Sequence, residues 1–196
     1  MARIAVVPGD GIGTEVIAEA VAVLRALDGA RLGLDLVDWD LGAERYLRTG
    51  VTITDEEMAD LATYDAILLG ALGDPRVPGN EHARDILLGM RFRLDLYVNL
   101  RPVRLLHPGG SPLRDVGPDD IDMVIFRENT EGSYVGMGGV FKQGTPDEVA
   151  IEEDVNTRKG VERIIRAAFG HAERTGRRLT LADKSNALRH SGQLWR

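Results

Sequence analysis

The sequence predicts an α/β fold built on a parallel sheet. Three observations carry that expectation: short β-branched runs alternate with stretches of helical apolar spacing, turn residues punctuate each change, and one predicted helix opens on a capping box. Residues 4–7 form a β-branched run that stops at Pro8 and Gly9. Thr14 is the expected N-cap of the helix that follows, where Val16, Ile17, Ala20, Val23, Leu24 and Leu27 recur at helical spacing. Residues 34–37 return to a strand. Thr54, with Glu57 three residues later, is a capping box that opens a helix running towards Tyr64. Residues 66–69 are a buried strand ending at Gly70.

The second half has another texture. Residues 97–100 and 121–126 read as strands, and 132–154 as a glycine-dotted β-arm with β-prone runs near Val140 and Val149. Residues 157–174 make an amphipathic helix with Val161, Ile164, Ile165 and Phe169 on one face. Residues 179–182 are expected to be a strand that delivers Asp183 and Lys184 at its C-terminal end, where α/β folds commonly place ligand groups. A boundary near Asn99 divides the chain into a first α/β domain, 1–99, and a second domain, 100–196. The last residues read as the opening of a helix with neither cap nor breaker, so a truncated chain is expected.

Composition bounds the function. Of 196 residues, 43% are hydrophobic and 28% charged, as in ordinary globular proteins, and the formal net charge of −7 argues against nucleic acid as a partner. Cysteine is absent, which removes disulfides, thiolate catalysis and cysteine metal sites. No basic leader with an apolar core opens the sequence, and no apolar run is long enough to cross a bilayer. A cytoplasmic enzyme with no membrane partner is the expectation. His82, His107, His171 and His190 lack metal-ligand spacing and read as scattered surface histidines.

Gly9-Asp10-Gly11-Ile12-Gly13 lies between a strand and a helix, which invites a Rossmann reading. The glycines fall at the first, third and fifth positions instead of the first, third and sixth, so a tight strand-to-helix turn is the better account. Five side chains in distinctive phrases point elsewhere: Arg91, Arg101 in Asn99-Leu100-Arg101-Pro102, Arg127 and Tyr134 in Arg127-Glu128-Asn129-Thr130-Glu131-Gly132-Ser133-Tyr134, and Lys184 in Asp183-Lys184-Ser185-Asn186. A guanidinium grips a carboxylate with two parallel hydrogen bonds, so converging arginines suit a small dicarboxylate; tyrosine and lysine supply proton transfer.

Together with Pro8-Gly9-Asp10-Gly11-Ile12-Gly13, these phrases resemble the β-decarboxylating dehydrogenase family, whose members oxidise isopropylmalate, isocitrate, homoisocitrate, tartrate or malate. Asp40-Leu41-Gly42-Ala43-Glu44-Arg45 and Ser191-Gly192-Gln193-Leu194-Trp195 look most like the isopropylmalate branch. The resemblance implies an isopropylmalate-dehydrogenase-like two-domain α/β fold, not a Rossmann fold. It also implies a homodimer that swaps a β-arm, and a reaction dependent on NAD and on Mg2+ or Mn2+.

By the same resemblance Arg91, Arg101 and Arg127 clamp the substrate carboxylates, and Tyr134 protonates the enolate carbon. Lys184 takes the hydroxyl proton, reaching across from a partner subunit. Leu87 and Leu88 meet the substrate's side chain, and Gly73 and Asp74 lie near the nicotinamide. No metal ligand is expected within the chain; the aspartates that hold the ion would lie beyond residue 196. Leucine at 87 and 88 favours isopropylmalate over isocitrate, because a third carboxylate would be buried unpaired. The Asn129-Thr130-Glu131 spelling pulls the other way, being frequent in isocitrate, homoisocitrate and tartrate enzymes, so the alternatives are a tartrate or D-malate enzyme of the same family and a non-catalytic truncated relative that only binds or assembles.

Overall fold

The computed structural model describes residues 1–28 and 33–196. The chain divides into two compact units, Met1–Asp95 and Leu96–Arg196.

The first unit follows the predicted alternation. Strand β1 (Ala2–Val7) is flanked by β2 (Leu34–Asp38) and β3 (Ala66–Leu69), all parallel, in the order β2-β1-β3. Ala5, Val6 and Val7 are buried, as the central strand of a parallel sheet requires. Helix α1 (Ile12–Asp28) follows β1, α2 (Ala43–Thr49) follows β2, and α3 (Asp55–Leu61) leads into β3. Helix α4 (Glu81–Arg93) closes the unit. Ala5, Val7, Leu41, Met58, Leu61, Ile86 and Met90 form its core. The capping box is present in full: Thr54 Oγ1 accepts from Glu57 N–H, and Glu57 accepts from Thr54 N–H. The Glu57 carboxylate also takes both guanidinium arms of Arg45 at 2.6 and 2.8 Å, which fastens α2 to α3. Thr14 is not an N-cap. Helix α1 has already begun at Ile12, and the Thr14 hydroxyl donates to Gly11 C=O at 2.9 Å.

In the second unit β4 (Val98–Arg104) and β5 (Asp122–Glu128) form an antiparallel ribbon. Strands β6 (Gly138–Phe141) and β7 (Val149–Glu152) form the expected arm as an antiparallel hairpin, exposed along its whole length. Helix α5 (Arg158–Thr175) starts at the Thr157 cap and ends at Gly176 in the left-handed region (φ 65°), and α6 (Arg189–Trp195) ends the chain. The buried stripe of α5 is Val161, Ile164 and Ala168. Phe169, expected on that face, lies 100° round the helix from Ala168 and is exposed.

Residues 179–182 are not a strand. A strand is defined by a neighbour that takes its backbone groups, and none of the described strands pairs with this segment, although Leu179 and Leu181 have the spacing for it. Among the described residues no helix is long and apolar enough to cross a membrane.

Candidate active site

In the second unit the strand ladder brings the cations together. Asn99 pairs with Arg127 and Arg101 with Ile125. Directly opposed residues share a face, so Arg101 and Arg127 are diagonal neighbours on one side of the β4–β5 ribbon. The other side faces α5, where the Phe126 and His171 rings meet at 5.1 Å. Tyr134 lies in a single turn of 3₁₀ helix, and the Arg127 guanidinium is 5.7 Å from the centre of its ring. The Arg127 Nε is buried with no hydrogen-bond partner. A buried donor without a partner costs free energy in the unliganded chain. Arg101, Arg127 and Tyr134 therefore form one cluster.

The rest of the Arg127 phrase is scaffolding that the sequence reading did not recognise. Glu128 accepts from Thr130 N–H and Glu131 N–H at 2.8 and 2.7 Å, closing the turn after β5, and from Arg163 of α5 at 3.1 Å. Asn129 bridges Asn99 and the Leu96 carbonyl. Glu131 accepts from the Thr157 N–H at 2.8 Å and from its hydroxyl, placing a carboxylate at the N-terminus of α5. Its carboxyl packs against Gly160, where a Cβ would come within 2.3 Å of it. The two glutamates thus fix the loop that carries Tyr134 between β5 and α5.

Lys184 is exposed, in a turn where its carbonyl accepts from Ala187 and Leu188 N–H at 2.9 Å. Its neighbours are anchored by α6: Asp183 and Ser185 both meet Arg196, and Ser185 lies under Gly192, where a side chain would collide at 2.4 Å. That close approach explains the glycine in the Ser191-Gly192-Gln193 phrase.

In the first unit α4 sorts its residues by face. His82, Ala83, Ile86 and Met90 are buried. Leu87, Leu88 and Arg91 lie on the opposite side, with Arg91 one turn on from both leucines and Leu87 40% exposed. The core thus takes Ile86 and leaves Leu87 available.

Gly73 and Asp74 occupy the loop after β3, and their polar groups are engaged inside the unit. Gly73 (φ 149°) donates its N–H to Asp10 Oδ2 at 2.8 Å. Asp74 accepts from the backbone and guanidinium of Arg76, which holds its carboxyl down at about 2. Asp10 also takes the Ala43 N–H at 2.6 Å and His82 Nε2 at 2.8 Å. Burial alone would raise the Asp10 carboxyl, but the bonds from Ala43, His82 and Gly73 outweigh it and hold it below the usual carboxylate range. His82 is therefore not a surface histidine; it is fully buried. No local signal marked Asp10, because its partners Ala43, Gly73 and His82 are 33, 63 and 72 residues away.

The glycine turn is filled by protein. A Cβ on Gly9 or Gly13 would strike the Ala71 carbonyl at 2.1 or 2.6 Å, and Asp10 N–H donates to that oxygen at 2.7 Å. This is the tight turn that the glycine spacing predicted. Among the described residues no three carboxylate or imidazole groups gather as a metal centre requires, so these residues by themselves do not compose one.

Comparison with known proteins matches this architecture. The isocitrate/isopropylmalate dehydrogenase family model matches residues 3–196, and the chain belongs to that family. A 3-isopropylmalate dehydrogenase of Thermobifida fusca is 51% identical over 195 residues, covering 98% of this chain and 55% of the relative. One from Corynebacterium glutamicum is 52% identical over 194 residues, covering 98% and 56%. Among solved structures, isocitrate dehydrogenase from Methylococcus capsulatus superposes with a TM-score of 0.83 at 32% identity, covering all of this chain and 55% of that one. A β-decarboxylating dehydrogenase from Thermococcus kodakarensis gives 0.71 at 34% identity, covering 99% and 52%. The α/β fold is therefore that of the family. The chain spans about half the length of the curated relatives it matches.

Proposed function

We propose that the intact protein is an NAD-dependent dehydrogenase that oxidatively decarboxylates 3-isopropylmalate on the route to leucine, working in the cytoplasm as a homodimer. The observation that carries this is the cluster of Arg101, Arg127 and Tyr134, with two guanidinium groups on one face of the ribbon and a phenol against one of them. Arg101 and Arg127 bind the substrate carboxylates through charge-assisted forks. Bound NAD would accept the hydride from the substrate's C2. Lys184 Nζ takes the proton of the C2 hydroxyl, carbon dioxide leaves, and the Tyr134 hydroxyl returns a proton to the carbon. The Arg127 cation beside the ring favours the phenolate left behind. A divalent Mg2+ or Mn2+ would be held by groups other than the described residues, and no step is assigned to it.

Leu87 supports the isopropyl substrate, because an apolar side chain left out of the core on the Arg91 side of α4 suits an apolar substituent. The dimer rests on the β6–β7 hairpin. Phe141, Val149 and Ile151 share one face of it and are all exposed, an apolar strip that a second copy would cover.

The test is the absorbance of reduced NAD formed by the intact protein. It is expected to rise with 3-isopropylmalate and to stay near baseline with tartrate or D-malate; the reverse preference would overturn the substrate assignment.

A further inference from the structure

We infer that the buried Asp10–His82 pair is a positioning device for the Gly73–Asp74 loop, setting the surface this loop presents to a dinucleotide. The inference rests on the functional reading above and adds to it two residues with no part in the chemistry. One carboxylate gathers four segments of the first unit. Its own turn follows β1, its Oδ1 takes the first N–H of α2 at Ala43, and its Oδ2 takes the N–H of Gly73 and Nε2 of His82 on α4. Gly73 has a backbone conformation (φ 149°) that residues with side chains rarely adopt. Of the loop's other polar ties, Asp74 N–H to Asn80 and the Asp74 carboxylate to Arg76 are exposed side-chain bonds, and the Asp74 carbonyl accepts from Val77 N–H at 3.0 Å. Among the side-chain bonds that hold the loop, the one to Asp10 is the sheltered one, and it fixes the loop at Gly73.

The histidine is informative because packing does not require it. Its ring is fully buried and its Nδ1 has no partner, a cost that leucine in the same space would avoid. An ionised carboxylate only accepts, so Nε2 carries the hydrogen of this bond. Histidine here supplies one donor to the oxygen that also holds Gly73.

The experiment uses the intact protein and its His82→Leu and His82→Gln variants, with NADH dissociation constants from fluorescence titration, KM values for the hydroxy acid, and melting temperatures. His82→Leu is expected to weaken NADH about tenfold, the value of one lost hydrogen bond to a charged group, with the hydroxy-acid KM within about twofold. His82→Gln, whose amide reaches the same carboxylate, is expected to stay within about threefold of the parent for NADH. Nitrogen-15 spectra of the parent should show hydrogen on Nε2 of His82. The inference is overturned if His82→Leu lowers the melting temperature while NADH affinity is unchanged, if leucine and glutamine variants lose affinity equally, or if Nε2 carries no hydrogen. A parent that binds NADH alongside unaffected variants sinks only this inference. A parent that binds no dinucleotide sinks the functional reading and takes this inference with it.

Discussion

Gly160→Ala offers a sharp test of how the Arg127 phrase is built, because its sign depends on a residue 29 positions away. Gly160 lies in the first turn of α5, where alanine would normally improve helix propensity by about 0.5 kcal/mol. A Cβ there would come within 2.3 Å of the Glu131 carboxyl, so that side chain must swing away. Being the end of a flexible chain, it yields without large strain. What is lost is its bond to the Thr157 N–H at 2.8 Å and its position at the positive end of the helix. At this part-exposed site the cap bond contributes about 1 kcal/mol and the helix-terminal anion about 0.5. Gly160→Ala should therefore destabilise the intact protein by about 1 kcal/mol. In a Glu131→Ala background only the propensity gain remains, and the same substitution should stabilise by about 0.5 kcal/mol. The coupling of about 1.5 kcal/mol is read from urea midpoints of the four proteins in a double-mutant cycle. Hydrogen exchange of the first amides of α5 provides a local check. A Gly160→Ala protein that is more stable in both backgrounds would refute the carboxylate's seat on this glycine.

Other consequences follow from burial and charge. Ile86→Ala should cost about 3–4 kcal/mol in chemical denaturation because the residue is wholly buried in the core, whereas Leu87→Ala should cost less than about 1 kcal/mol and alter the hydroxy-acid KM instead. Equal stability losses would show that α4 does not divide its faces as described. The Glu57 carboxyl is held below its ordinary range, first by the Arg45 guanidinium. A depressed carboxylate contributes stability that is full above its unfolded value of about 4.3 and is lost as pH falls through the lower folded value. Acid titrations of stability should therefore show a shallower decline below about pH 4 for Glu57→Gln than for the parent. On the hairpin, Phe141→Asp should shift sedimentation towards a smaller species with the far-ultraviolet spectrum unchanged; an unaltered sedimentation coefficient would remove the arm from the dimer.

Much of this was legible from residue order. The β-branched run at 4–7, the apolar run at 66–69, the capping box at Thr54 and the glycine frame at 9–13 are local signals, and each became the predicted element, although the strand at 66–69 is half-buried where a buried one was expected. The Arg101 and Arg127 phrases were recognisable as chemistry, but their common face required the register of β4 against β5, which neither strand encodes alone. Leu179 and Leu181 have strand spacing and lack a partner, so periodicity described an edge that pairing does not complete. Phe169 belongs to an amphipathic helix that buries Val161 and Ile164 as its spacing predicted but takes Ala168 in place of Phe169, a choice set by tertiary packing and not by periodicity. His82 was misplaced for a further reason. Its partner Asp10 is 72 residues earlier, and no local pattern marks a histidine whose neighbour comes from the far side of a sheet.

The register of the β4–β5 ribbon also governs which lengths of this chain can vary. Successive strand residues point in opposite directions, so one residue inserted between Asn99 and Arg101 would turn the latter guanidinium towards α5 and separate the pair. The connection from residue 105 to 121 carries no such parity, and insertions there leave both cations where they are. Length variation among natural versions should therefore gather in that connection and be missing from the ladder, and a loop graft intended to preserve the anion-binding pair belongs there.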